Sequence, residues 1–239
     1  MELHVHGVAN PAPFLSARDL FETEFDLELP VRVELDVDPD ARTWAAHYDT
    51  HHVLNVSQRV ASSAMARELA LHELSHMRRY EEGHASHRQS TREALYLALA
   101  EPNPPRHLAY HGLQIANHMR DIYADDLTLS LAPADKLVAF LESSLAAAVR
   151  DGHPEAPERA SITAVNAAFA LGLCERHDLV DDDHRLHDLA HAAGADAPAV
   201  PLTRFKRTFA TLPPTPTGSE FRRGLVETIR AYADGASGA

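Results

Sequence analysis

Leu71-His72-Glu73-Leu74-Ser75-His76 is the stretch on which the reading of this chain turns. The run before it, Met65-Ala66-Arg67-Glu68-Leu69-Ala70, has the apolar spacing of an amphipathic helix. A helix carries residues four apart on one face, so His72 and His76 offer two imidazoles to a single ion. Glu73 then lies beside the coordination position left open, where a carboxylate can take a proton from bound water. With 17 histidines in the chain, such a string can arise by accident. Its helical flanks and its place directly after strand-like segments argue instead for an H-E-x-x-H motif set in a packed helix.

Upstream, residues 30–37 (Pro-Val-Arg-Val-Glu-Leu-Asp-Val) alternate with period two. A turn at Asp38-Pro39-Asp40 leads to a second strand from Thr43 to Tyr48, and Asp49-Thr50 leads to a third from His51 to Ser57. These predict a small antiparallel sheet of three strands, preceded by a short helix that starts after Ser16, with Asp19 three residues on. From residue 58 the pattern is helical. Ala61 to Tyr80 reads as one run, and Ser90-Thr91-Arg92-Glu93 is a capping box for a helix that Pro102, Pro104 and Pro105 end. His107–Leu131, Asp135–Arg150, 157–179, 183–194, 202–211 and 219–233 follow as helices, the last with Thr217 and Glu220 as its box. Gly152-His153-Pro154 and the proline-rich 211–217 read as loops. The fold class is α+β, a small N-terminal sheet followed by a mostly helical body.

Two imidazoles need a third ligand. The metzincin continuation fails, because Arg79 stands where glycine belongs and Glu82 where histidine belongs. The long downstream helix offers Asn117-His118-Met119-Arg120-Asp121-Ile122-Tyr123-Ala124-Asp125-Asp126. Here Asp121-x-x-Ala124-Asp125 resembles the E-x-x-A-D pattern of the gluzincins, which include thermolysin-like and prenyl-protein-protease-like enzymes. The resemblance covers roughly residues 30 to 130. It implies a zincin-like fold with a Zn²⁺ site between two helices, Asp121 as the third ligand and Asp125 orienting one of the histidines, His72. It also implies a division into a metal-binding region at 1–131 and a helical region at 132–239 packed on it. The departure is aspartate for glutamate, one methylene shorter, which zinc accepts but which brings the second helix closer. His118, one turn before Asp121, is an alternative ligand.

The activity implied is hydrolysis of a peptide or protein substrate, with Glu73 as general base toward metal-activated water. By the same resemblance the strand from His51 to Ser57 is near where an edge strand pairs with extended peptide, and Tyr110 or His111 is placed to stabilise an oxyanion. Two rivals stay open. One is a non-catalytic zincin-fold protein with a metal-binding or regulatory role; the other is a non-haem iron protein with the same two-histidine, one-carboxylate set.

Other features are read more plainly. His187-Asp188-Leu189-Ala190-His191, with His184 a turn earlier, could hold a second metal, whereas His4, His6, His84 and His87 read as surface loops or tails. Cys174, the one cysteine, excludes an internal disulfide and reads as a small buried hydrophobe. The net charge of −13 argues against nucleic acid and against an anionic membrane face. Only Lys136 and Lys206 are lysines among 22 basic residues, and such an acidic, lysine-poor surface suits a salt-saturated cytoplasm. The chain resembles a haloarchaeal family of zincin-like proteins. Neither a membrane span nor a signal peptide is legible, so a cytoplasmic protein is expected.

Overall fold

Val31 and Val33 are buried while Arg32 between them is exposed, so the alternation read at 30–37 does form a strand with one face in a core. The structure is a computed structural model and describes residues 1–7, 10–39, 41, 43–100, 104–151 and 157–237. The expected turn residue Asp40, Pro102 and the loop at Gly152-His153-Pro154 lie outside the described residues. The described chain is α+β, with four strands near its N-terminus and eleven helices: β1 (Leu3–His6), α1 (Ala12–Phe21), β2 (Val31–Asp36), β3 (Trp44–His47), β4 (His52–Ser57), α2 (Gln58–Ala61), α3 (Ala66–Glu81), α4 (Ala85–Arg88), α5 (Thr91–Leu99), α6 (Arg106–Leu131), α7 (Asp135–Asp151), α8 (Pro157–His177), α9 (Arg185–Asp196), α10 (Leu202–Ala210) and α11 (Gly218–Ser237).

The sheet corrects the sequence reading. Its order is β1-β2-β4-β3, with β1, β2 and β4 parallel and β3 antiparallel to β4. It is therefore mixed and four-stranded, not antiparallel and three-stranded. Parallel pairing of β1 with β2 needs a crossover, and α1 supplies it. That helix starts at Ala12 behind Pro11, not after Ser16, which lies inside it. Proline at a helix start loses no bond, since that N–H has no intrahelical partner. β3 and β4 are a hairpin, closed by Tyr48 N–H donating to His51 C=O at 3.0 Å. Because β4 pairs on both sides, His52–Ser57 is an inner strand, buried on both faces, and the sheet's two edges are β1 and β3.

The contacts divide the chain into two compact units, one of residues 1–88 with 123–136, the other of residues 89–122 with 137–239. The chain crosses between these units within α6. In the first unit Phe14, Ala17 and Phe21 of α1 share a core with Val31, Val33, Leu54 and Val56 of the sheet and with Ala70, Leu71, Leu74 and Met77 of α3. Each fully buried leucine or phenylalanine there contributes about 1.5–3 kcal/mol. This apolar stripe fixes the rotation of α3 about its axis, and hence where His72 and His76 point. The single run expected from Ala61 to Tyr80 is broken instead. Ser57 caps α2 by accepting from Val60 N–H, and Ser62 Oγ donates to the Gln58 and Arg59 carbonyls, a local bonding that competes with helix continuation.

In the second unit α8 is buried on most of its faces, and a Cβ at Gly172 would lie 2.8 Å from the Lys206 carbonyl of α10, so glycine is what allows that approach. The capping boxes at Ser90/Glu93 and Thr217/Glu220 form as read, with Glu93 N–H donating to Ser90 Oγ and Glu220 N–H to Thr217 Oγ1. Cys174 is buried, and desolvation pushes its thiol up to about 11, far from a neutral-pH nucleophile. No helix among the described residues is long and apolar enough to cross a membrane.

Glu81, at the end of α3, ties the helix to the sheet. Its carboxylate accepts from Glu28 and Leu29 N–H and from Nε2–H of His52, which is fully buried. Desolvation lowers the His52 pKa below its ordinary 6.5, and Glu81 offsets this only in part. The unfolded chain therefore protonates first as pH falls, so stability present above pH 6.5 is lost as pH drops through the lowered folded value. Urea midpoints measured between pH 8 and pH 5 should fall more steeply for wild type than for His52→Gln, which keeps a donor but does not titrate. Equal slopes would contradict this account of His52.

Candidate metal centre

The buried stripe of α3 leaves His72 and His76 on a half-buried face, one turn apart. Their Nε2 atoms are 3.0 Å from each other and the rings meet edge to face. Asp121 of α6 brings a carboxylate to the same place. Among the described residues, His72, His76 and Asp121 are the one group whose ligand atoms all lie within 4.8 Å of one another in an arrangement suited to an ion. The three residues named from sequence are thus brought together.

Asp125 lies one turn beyond Asp121 on α6 and is 3% exposed. Its Oδ1 is 2.7 Å from His72 Nδ1. An ionised carboxylate only accepts, so Nδ1–H of His72 donates and the Nε2 lone pair of that imidazole faces the cluster. This is the orienting contact expected of Asp125. The end of α6 is held on α3 by further bonds. The Ser75 and Thr128 hydroxyls meet at 3.0 Å, one donating to the other while the other donates back to its own helix (Leu71 or Ala124 carbonyl), and Arg79 Nε–H donates to the Tyr123 carbonyl. These buried partners fix the position of Asp125 more firmly than a lone ion pair would.

Glu73, beside His72, is 8% exposed and makes no side-chain hydrogen bond or ion pair among the described residues. Such a carboxylate keeps its accepting capacity for a substrate or a water.

His118 is committed elsewhere. Nε2–H of His118 donates to Asn166 Oδ1 at 2.9 Å, its ring stacks on Phe169, and its Nδ1 lies 3.7 Å from Asp121 Oδ2. It adjoins Asp121 without joining the cluster. Tyr110 and His111 lie in the second turn of α6, about 15 Å along the helix axis from Asp121 at 1.5 Å per residue. Tyr110 is half exposed, and His111 is buried with its Nδ1 2.7 Å from Tyr232 Oη. Desolvation, with His107 nearby, lowers the His111 pKa. Neither residue belongs to the cluster, and the tyrosine partner gives His111 a structural task in the helical core.

The second histidine string does not assemble a ligand set among the described residues. His184 instead caps α9, its Nδ1 accepting from Leu186 N–H. His84 and His87, read as surface residues, are half buried and linked to the site, with His87 Nε2 2.7 Å from His76 Nδ1. The sequence signal that could have found them is Gly83, a glycine directly after a helix, which marks where the chain can turn back.

No curated protein and no solved structure matches the chain. Residues 1–234 match the family described as a family of unknown function (DUF5781), and it is to this family that the chain belongs.

Proposed function

We propose that this chain is a zinc-dependent hydrolase of peptide bonds with a zincin-like fold. The observation that carries the proposal is the convergence of His72, His76 and Asp121, with the two Nε2 atoms 3.0 Å apart, Asp125 behind His72, and the buried Glu73 next to His72 on the same helix. Two neutral imidazoles and one carboxylate are a donor set zinc takes in catalytic sites, leaving a position for water or substrate. Held by His72, His76 and Asp121, a zinc ion would supply Lewis acidity, bringing the pKa of a bound water to about 7 and polarising a substrate carbonyl. Glu73 would serve as the base, taking a proton from an attacking water and returning it to the leaving amine. Asp125 holds His72 in the tautomer that presents Nε2.

The sheet supports a peptide as substrate. β3 is a free antiparallel edge whose neighbour β4 leads through α2 into the metal helix. An extended chain adding to such an edge gains backbone hydrogen bonds without demanding a particular sequence. The acidic surface favours the high-salt cytoplasm expected from composition, so activity belongs to high-salt buffer.

Protein purified in high salt should carry about one zinc per chain by elemental analysis. Glu73→Gln should keep the metal and lose cleavage of unstructured peptides by about 10²–10⁴-fold. A chain without stoichiometric zinc, or with iron in its place, contradicts the proposal. Zinc retained with no cleavage by wild type would support the non-catalytic metal-binding reading instead. The ligand assignment has its own check: Asp121→Ala should lose zinc, and His118→Ala should keep it because its Nε2–H serves Asn166. The reverse result would make His118 the ligand.

A further inference from the structure

We infer that His87, held by Ser86 and His84, is the positioning residue that sets the tautomer of His76 and turns its Nε2 lone pair toward the metal. The inference rests on the metal-centre reading and deepens it.

The placement starts with one glycine. Gly83 has φ +67°, a left-handed conformation that side chains resist. It ends α3 with His84 N–H donating to the Arg79 carbonyl and Gly83 N–H to the Tyr80 carbonyl, the paired bonds of a Schellman cap. The chain reverses, and the single turn of α4 lies back along α3. That return brings His87 to His76, 11 residues away in sequence.

Four contacts then form a chain of bonds whose direction the backbone decides. Ser86 N–H donates to His84 Nδ1 at 3.3 Å, and a backbone amide can only donate. His84 Nδ1 therefore carries a lone pair. The Ser86 hydroxyl, 2.7 Å from the same nitrogen, must donate to it. A hydroxyl has one hydrogen, so toward His87 Nδ1, also at 2.7 Å, Ser86 Oγ accepts. Nδ1 of His87 carries the proton, and Nε2 of that neutral ring is an acceptor. The remaining contact, 2.7 Å from His87 Nε2 to His76 Nδ1, is then donated by His76. The neutral His76 ring is left with its lone pair on Nε2.

Asp125 reaches the same result for His72 by a simpler route, since a carboxylate accepts whatever faces it. The consequence is that two Nε2 lone pairs point at each other across 3.0 Å. Two acceptors so placed repel unless a cation lies between them. With the opposite polarity, His76 would donate to His72 and the pair would be satisfied with no metal. The direction of the His84–Ser86–His87 chain thus distinguishes a metal-ready pair from a closed one. His87 does this without touching the ion, through the orientation and basicity of its partner.

Zinc affinity, measured by chelator competition on the full chain in high salt, tests the inference together with the visible spectrum of the Co²⁺ form. His87→Ala should weaken zinc binding by about 10–100-fold with the thermal midpoint little changed. His87→Gln offers an amide oxygen to the same Nδ1–H and should recover affinity to within about threefold of wild type, with the Co²⁺ spectrum restored. Should His87→Ala fail to fold, Ser86→Ala supplies the second arm. It frees His87 to reverse its tautomer and should also weaken zinc, at a position that does not touch His76. Wild-type affinity in both His87→Ala and Ser86→Ala overturns the inference, as does a glutamine variant no better than alanine. A wild-type chain that binds no zinc sinks the metal-centre reading itself, a result separate from any of these.

Discussion

The bond from His72 Nδ1–H to Asp125 joins residues 53 positions apart and is 2.7 Å long. It requires the end of α6 to lie on α3 with one face of each helix fixed. The apolar stripe Ala70, Leu71, Leu74 and Met77 sets that face for α3 by burial against α1 and the sheet. Ser75, Thr128 and Arg79 set it for α6. A slip of one residue in either helix would rotate its ligands by about 100° and separate the donors. The candidate site is therefore a property of the packing of α3 and α6, and the sheet matters to it chiefly as the wall against which α3 is held.

What could be read from the sequence was what local spacing controls. His72 and His76 share a face because helices repeat every 3.6 residues, and Asp121 and Asp125 share one for the same reason. The helix starts at Ser90 and Thr217 were legible because a cap and its partner are three residues apart. The sheet was less so. β1 is four residues long with His4 and His6 at alternate positions, too short and too polar to stand out. That β2 pairs with β4 and leaves β3 at the edge depends on partners far along the chain, which alternation within each strand does not encode.

The same limit explains the histidines. His84 and His87 lie beyond the end of α3, so helical spacing from His72 and His76 does not apply to them and composition alone makes them surface residues. Only the left-handed turn at Gly83 brings them back to α3. His118 shows the converse. It lies one turn before Asp121 with a plausible ligand spacing, yet the stacking of Phe169 and the bond to Asn166 withdraw it. Asparagine 166 and phenylalanine 169 are on a helix some fifty residues away, and nothing near His118 in sequence announces them. Of the 35 acidic residues, Glu73, Asp121 and Asp125 are set apart by position and not by type, which is why a net charge of −13 says so little about the site.

X-ray absorption at the zinc edge of the loaded, full-length chain tests the central claim most directly, because it reads the atoms around the ion. The account predicts two imidazole nitrogens and oxygen ligands at about 2.0–2.2 Å, with the imidazole scattering lost in a His72→Ala, His76→Ala double variant. A shell of oxygens alone, or imidazole scattering that survives the double variant, would contradict it.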